Sequence, residues 1–248
     1  MSARPAWTPI GSLVSLERYP LKGTTGEMLD EVKIGWHGLS GDRQHALLRT
    51  DDTSGLPWVS PREFPKVVAW RSAQLQQGVL RVKTHDGVEW TLASDDIKER
   101  ERFERFATDE LRAHLSLLTL WRGTFDSMPV SVITTATVSD MAALAGDAGF
   151  DARRLRPNIV VDLFEPRTGA EQKWIGRELR LGEEPDSAVL RIDRTTTRCE
   201  VVDLNPRTGV ADKDLFAKIR EQRRNRVGVY ASVGHPGFAR IGATIAIR

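Results

Sequence analysis

The chain has a single cysteine, Cys199, in 248 residues. One thiol cannot form an internal disulfide, a cysteine-rich zinc site or a four-cysteine iron–sulfur cluster. That excludes a disulfide-stapled secreted scaffold and a built-in ferredoxin module, and a lone thiol fits a reducing compartment. An excess of charge is also missing. The chain has 36 Lys and Arg against 34 Asp and Glu, a net of +2, too small to argue for nucleic acid or an anionic membrane as partner. No stretch approaches the ~20 apolar residues that a membrane-spanning helix needs. Met1 to Gly11 holds one Arg and no apolar segment of the secretory kind. The expectation is a soluble, cytoplasmic protein. No GxGxxG follows a first strand and no GxxxxGK(S/T) occurs, so neither a dinucleotide fingerprint nor a phosphate-binding P-loop is present.

What is present is ordinary globular usage, 40% hydrophobic and 28% charged. The length suits one large domain or two small ones sharing an interface, with core enough to need no staple. There is no internal repeat. Short apolar runs closed by Gly, Pro, Asp or Asn predict many short strands: Leu13–Leu16, Val32–Ile34, Ala46–Leu48, Val67–Ala69, Val79–Val82, Trp90–Leu92 and Leu115–Trp121 in the first half. Val130–Ile133, Ile159–Val161, Leu179–Leu181, Val189–Ile192, Val201–Val202, Val229–Ser232 and Thr244–Ile247 follow. Helical spacing appears at Asp95–His114, with Ile97, Phe103, Phe106 and Leu111 apolar and Ser94 or Asp95 as N-cap. It appears again at Thr137–Ala148, around Met141, Leu144 and Ala145, and at Asp212–Asn225, where Leu215, Phe216 and Ile219 oppose a basic face. Dense strands with few helices indicate a β-rich α+β protein. A break at Arg122–Met128 suggests two parts, 10–122 and 123–248.

Four segments stand out: three put charge beside or near Gly or Pro, where backbone can approach a ligand, and the fourth puts charge beside the thiol. In Tyr19-Pro20-Leu21-Lys22-Gly23 the lysine ends a strand; it meets an anion there, or is a solvated turn residue. In Gly38-Leu39-Ser40-Gly41-Asp42-Arg43 the glycines let backbone N–H groups converge, and Arg43 adds a planar fork suited to phosphate. Asp42 either caps that turn or orients Arg43; a tight turn with a surface arginine is the plain alternative. Arg156-Pro157-Asn158 follows Arg153 and Arg154 into a strand, which suits a polyanion or is a basic connection. Asn158 brings two donors and an acceptor for a heterocycle edge. Lastly, Thr195-Thr196-Thr197-Arg198-Cys199-Glu200 places the thiol after a cation that favours the thiolate. A buried free Cys is otherwise a small hydrophobe. The five histidines form no recognisable signature with Cys199, and His235-Pro236-Gly237 reads as a turn. There is no HExxH and no close ligand cluster.

Taken in order, these segments resemble the two-part MOSC proteins, an N-terminal β-barrel domain followed by a MOSC domain, of the type of the mitochondrial amidoxime-reducing component and its bacterial relatives. The matching text continues with Ser60-Pro61-Arg62-Glu63-Phe64-Pro65, Met128-Pro129-Val130-Ser131-Val132-Ile133, Trp174-Ile175-Gly176, Pro206-Arg207-Thr208-Gly209, Gly228-Val229-Tyr230 and Gly242-Ala243-Thr244-Ile245. The resemblance spans about residues 10 to 248.

It implies two packed β-barrel domains and a molybdenum cofactor, a phosphate-bearing pterin whose dithiolene holds the metal. Cys199 then completes the metal's coordination, as soft thiolate ligation allows. Lys22 and Arg43 match residues at the phosphate end, Arg156 and Asn158 match residues against the cofactor, Arg198 adjoins the thiol, and Arg62 is a looser match. Asp203 falls at the acidic position after the Cys and is assigned proton handling. Two departures bear on substrate identity: Gly23 stands where a Ser is common, and Asp203-Leu204-Asn205-Pro206 replaces a shorter Asp-Pro step. The implied reaction is two-electron reduction of an N-hydroxylated small molecule. Electrons would come from a separate ferredoxin, flavoprotein or cytochrome, since no second redox centre is visible. The alternatives are a molybdopterin carrier without turnover and a persulfide carrier on Cys199. The latter would need sulfur in trans, because the chain is too short to include a pyridoxal-phosphate desulfurase.

Overall fold

The computed structural model describes residues 6–248, so part of the Met1–Gly11 reading lies outside the described residues. The chain opens with a long strand, β1 (Thr8–Arg18), then β2 (Glu27–Met28), β3 (Glu31–Gly35), β4 (Gly38–Leu39) and β5 (His45–Arg49). Next come β6 (Arg71–Gln76), β7 (Val79–Lys83), β8 (Glu89–Ala93), α1 (Ile97–Leu111) and β9 (Leu115–Thr119). The second half holds β10 (Val130–Thr134), α2 (Thr135–Ala145), β11 (Ile159–Leu163), β12 (Glu178–Leu181) and β13 (Val189–Thr197). It ends with α3 (Leu215–Arg223), β14 (Arg226–His235), β15 (Gly237–Arg240) and β16 (Thr244–Ile247). The protein is β-rich α+β, as its short apolar runs predict.

The main sheet runs β11-β10-β14-β13-β12-β16-β1, and β1 pairs back onto β11, so these strands close into a barrel. Only β10 and β11 are parallel; they are joined through α2, the crossover a parallel pair needs. β1 closes the ring: Thr8 faces Ile247 of β16, and Leu16 faces Ile159 of β11. Alternation fixes the faces. Val130 and Val132 of β10, Val229 and Ala231 of β14, and Ile159 and Val161 of β11 belong to the interior core. Ser131, Tyr230 and Asn158 therefore face outward. β3, β4 and β15 form a small sheet that shares this core through Val32, Ile34, Leu39 and Ala239.

A second core lies in the first half, where the β5–β9 pair and the β6-β7-β8 meander pack on α1. Phe103, Ala107 and Leu111 recur at helical spacing and are buried there. Ile97, expected on that face, is exposed in the first turn. The N-cap is Asp96, one or two residues later than expected, with its side chain accepting from the N–H of Lys98 and Glu99. A third core packs α2 and α3 on the outer barrel wall through Met141, Leu215, Ile219, Ile133 and Val160. α2 begins two residues before the expected start at Thr137, with Thr134 as its cap, and α3 is shorter than its apolar spacing suggested.

Two predicted strands are tight helical turns instead. Val67–Ala69 lies in a 3-10 turn, Pro65–Ala69, where three successive residues are buried and no two-residue alternation exists. Val201–Val202 lies in another, Glu200–Asp203, directly after Cys199. Apolar runs do not reveal β6, which is mostly polar, or β15, where only Phe238 and Ala239 stand between Gly237 and Arg240.

Candidate functional site

Asn158, Ser131 and Tyr230 project from the outer barrel wall onto a cleft that Lys22, Arg43 and the Ser60–Arg62 loop also line. Tyr19, fully buried at the end of β1, is the platform for two of its cations. The guanidinium carbons of Arg43 and Arg156 each lie 4.5 Å from the Tyr19 ring centroid, within cation–π range. The Tyr19 hydroxyl donates to Pro157 O at 2.9 Å. Arg43 and Arg156 both have left-handed backbone, φ 50° and 49°. For a non-glycine residue that conformation persists only where surrounding contacts impose it.

Asp42 both ties the turn and orients the arginine, resolving the two readings of that residue. Its buried carboxylate accepts from Tyr19 N at 2.8 Å through Oδ1, and from Asn158 Nδ2 at 3.1 Å and Arg43 Nη1 through Oδ2. Asn158 is spent on the protein. Nδ2 also donates to Glu17 O at 3.1 Å, while Oδ1 accepts from Ser131 N at 3.1 Å and lies 3.4 Å from Arg43 Nη1. Its side chain lines the cleft but holds Arg43, β1 and β10 in register, with no donor left for a heterocycle.

Among the described residues no carboxylate pairs with Arg156. It donates to Thr24 O at 2.8 Å and weakly to Gly23 O. Burial, then repulsion from Arg43, draws its guanidinium below the ordinary value. Burial pulls on Arg43 as well, but the Asp42 and Tyr19 oxygens hold it above. Lys22 Nζ donates to Thr124 O at 2.5 Å and to Asp126 Oδ1 at 2.7 Å. Burial draws Lys22 down, against Asp126 and together with Arg43 and Arg156. Three cations thus converge where their mutual repulsion favours an added anion.

Cys199 lines the same cleft, half-buried at the head of the turn Glu200–Asp203. Arg198 is pinned beneath it, donating to Leu155 O at 2.5 Å and to Val227 O at 2.9 and 2.6 Å. That ties the thiol strand to the Arg156 segment and to β14. Among the described residues no group of three His, Cys, Asp or Glu side chains could hold a metal. A metal at Cys199 would therefore draw its other ligands from a cofactor. Arg62 is exposed at the rim.

Asp203 is placed differently from its expected role. It is not among the cleft residues; its Oδ1 accepts from Leu215 N at 2.7 Å and Phe216 N at 2.8 Å, capping α3. Burial raises its carboxyl against those two N–H groups. Sequence reading missed Asp126, Phe125 and Tyr230 as cleft residues. The only signal near Asp126 was the pattern break, which was read as a boundary. Ser131 stood in the matched text without a role; its buried Oγ has no hydrogen-bond partner in the cleft wall.

Residues 10–115 match the family model of the MOSC N-terminal beta barrel domain, and residues 119–246 that of the MOSC domain. No curated protein matches the chain. The crystal structure of the YuaD protein from Bacillus subtilis is similar at 12% identity and a TM-score of 0.50, over 98% of each chain. That of YiiM from Escherichia coli covers 98% of this chain and 70% of its own at 13% identity, TM-score 0.44. YiiM from Geobacillus stearothermophilus covers 49% and 54% at 14% identity, TM-score 0.35. At such identities the YuaD likeness speaks to fold alone.

Proposed function

Because the chain belongs to the MOSC family, we propose that the cleft binds a molybdenum cofactor and that the protein uses it to reduce N-hydroxylated small molecules, as the amidoxime-reducing type does. The observation that carries this is the joining of the sole thiol to Lys22, Arg43 and Arg156 in one cleft, from four segments far apart in sequence. The donor chemistry fits. A phosphate-bearing pterin needs a cationic seat, and a dithiolene-held metal needs one soft protein ligand.

Cys199 would ligate the metal as thiolate, and Arg198, held by carbonyls on two neighbouring segments, fixes the strand that presents it. Lys22, Arg43 and Arg156 would hold the phosphate end, with Arg62 at the entrance. Asp42 and Asn158 position Arg43. The unpartnered Ser131 Oγ offers a donor or acceptor to the pterin. When bound, the cofactor supplies two-electron redox chemistry and an oxygen acceptor. Electrons would come from a separate donor protein of ferredoxin, flavoprotein or cytochrome type.

Protein purified from a molybdenum-replete host is expected to contain molybdenum and pterin in about equal amounts, and Cys199→Ser to lose the metal. Unchanged metal content and spectrum in that variant would remove Cys199 as ligand. Arg156→Glu reverses a buried charge, so cofactor retention is expected to fall by a hundredfold or more, on the scale of roughly 3–5 kcal/mol for an uncompensated buried charge. Turnover of a hydroxylamine-type substrate with an artificial reductant tests the reductase reading. A loaded protein inactive on a broad panel is a carrier instead, and sulfane sulfur on Cys199 marks a persulfide carrier.

A further inference from the structure

Six cationic side chains line the cleft, Lys22, Arg43, Arg62, Arg154, Arg156 and Arg198, and one carboxylate, Asp126. That carboxylate rests on the most enclosed ammonium. The Lys22 side chain is 9% exposed, whereas that of Asp126 is 58% exposed. The cation is built into the wall, and its partner reaches in from solvent.

The two partners of Lys22 are held very differently. Thr124, whose carbonyl accepts from Nζ, is anchored twice to Arg43 O, through its N–H and its hydroxyl, both at 2.8 Å. Beyond it the chain is loosely tied. Among the described residues, 125–128 make no backbone–backbone hydrogen bond before β10 begins. Ser127 is held only by the side chain of Arg194, at 2.7 Å in an exposed position. Among the described residues the Asp126 carboxylate has no other hydrogen-bond partner than Lys22. Lys22 therefore has one fixed partner, a carbonyl, and one exchangeable partner, a carboxylate.

From this we propose that Asp126 is an internal competitor for the anionic group of the ligand. Its carboxylate occupies the seat on Lys22 while the cleft is empty and turns out to solvent when the ligand's anion takes that seat. The inference rests on the reading of the cleft as an anion site and adds the residue that sets its affinity. A phosphate against Lys22, Arg43 and Arg156 would lie within a few ångströms of an Asp126 left in place, and two anions that close repel. Asp126 gives up little by leaving, because more than half of its side chain already meets water. Lys22 gains a compensating charge in the empty protein, without which its burial is opposed only by the Thr124 carbonyl.

The test is calorimetric titration of the full chain, freed of cofactor, with inorganic phosphate and with pyrophosphate. Asp126→Asn is expected to tighten binding by about two- to fivefold, the range spanned by ion pairs with an exposed partner. Glu165→Gln, an exposed charge remote from the cleft, controls for net charge and is expected to change binding less. In a Lys22→Met background the gain from Asp126→Asn is expected to vanish. Equal or weaker binding by Asp126→Asn, with phosphate still bound by the wild type, overturns the competitor and leaves the anion site standing. Absence of phosphate and pyrophosphate binding in every form overturns both. A second measurement needs no variant: in crystals of the wild type soaked in phosphate, Asp126 is expected to leave Lys22. An Asp126 carboxylate still hydrogen-bonded to Lys22 beside a bound phosphate refutes the exchange.

Discussion

At the residue scale the most exacting test of burial is His45, enclosed at the start of β5 with Nδ1 3.0 Å from the Thr119 hydroxyl and Nε2 unpartnered. Burial lowers it from 6.5 to about 4, so it is neutral in the folded protein at neutral pH. The unfolded chain takes up a proton near pH 6.5 that the folded chain refuses until about pH 4. This contribution to stability is full above pH 6.5 and is lost as pH falls toward 4, by roughly 3 kcal/mol in all. Urea midpoints measured across that window are expected to fall less steeply in His45→Gln than in the wild type; identical pH profiles would show that His45 does not titrate this way. Lys22, Arg43, Arg62 and Arg156 were legible as cleft residues because each lies within two positions of a Gly or Pro in its own short segment. Asp126, Ser131 and Tyr230 were not. Their meeting depends on which face of a barrel strand is outward and on contacts spanning about a hundred positions, such as Lys22 to Asp126. Asn158 was legible as a site residue but its use was not, since its partners Glu17, Asp42 and Ser131 come from three distant segments.

At the scale of elements, the segment after the thiol is fixed by its cap on α3. Asp203→Ala removes the acceptor for Leu215 N and Phe216 N and is expected to cost about 1 kcal/mol, within the usual 0.5–2 range for a lost N-cap. Asp203→Asn keeps an oxygen in place and is expected to lose less. Thermal midpoints of the two variants decide this, and a cofactor-loaded Asp203→Asn enzyme with normal turnover separates capping from proton handling. Gly11 gives a second test, because a Cβ there would overlap the Asp162 carbonyl across the β1–β11 pair. Gly11→Ala is expected to destabilise by roughly 1–3 kcal/mol, as overpacking does; a variant melting with the wild type would mean that the β1–β11 pair yields freely. Periodicity predicted α1, α2 and α3 because each has an apolar face to bury. It failed for Val67–Ala69 and Val201–Val202, where a short apolar run is buried on all sides and spacing carries no information about backbone shape.

Across the whole molecule, composition and short apolar runs predicted a β-rich α+β protein, and the matched segments pointed to paired MOSC units. What they did not reveal is that β1 belongs to the barrel built mainly by the second half. A fragment of residues 119–248 lacks the strand that bridges β11 and β16, leaving both edges open. It is expected to show no cooperative thermal transition by near-ultraviolet circular dichroism; a sharp transition would mean the barrel closes without β1. The same closure has a consequence for the growing chain. β1 is synthesised well before its partner β16, which lies more than two hundred positions later, with Thr8 facing Ile247. The strand must wait until those intervening residues are made before its pairing is complete. At ~5–20 residues per second that is a delay of about ten seconds or more, during which its apolar side chains Leu13 and Leu16 remain open to any chaperone that recognises extended hydrophobic segments.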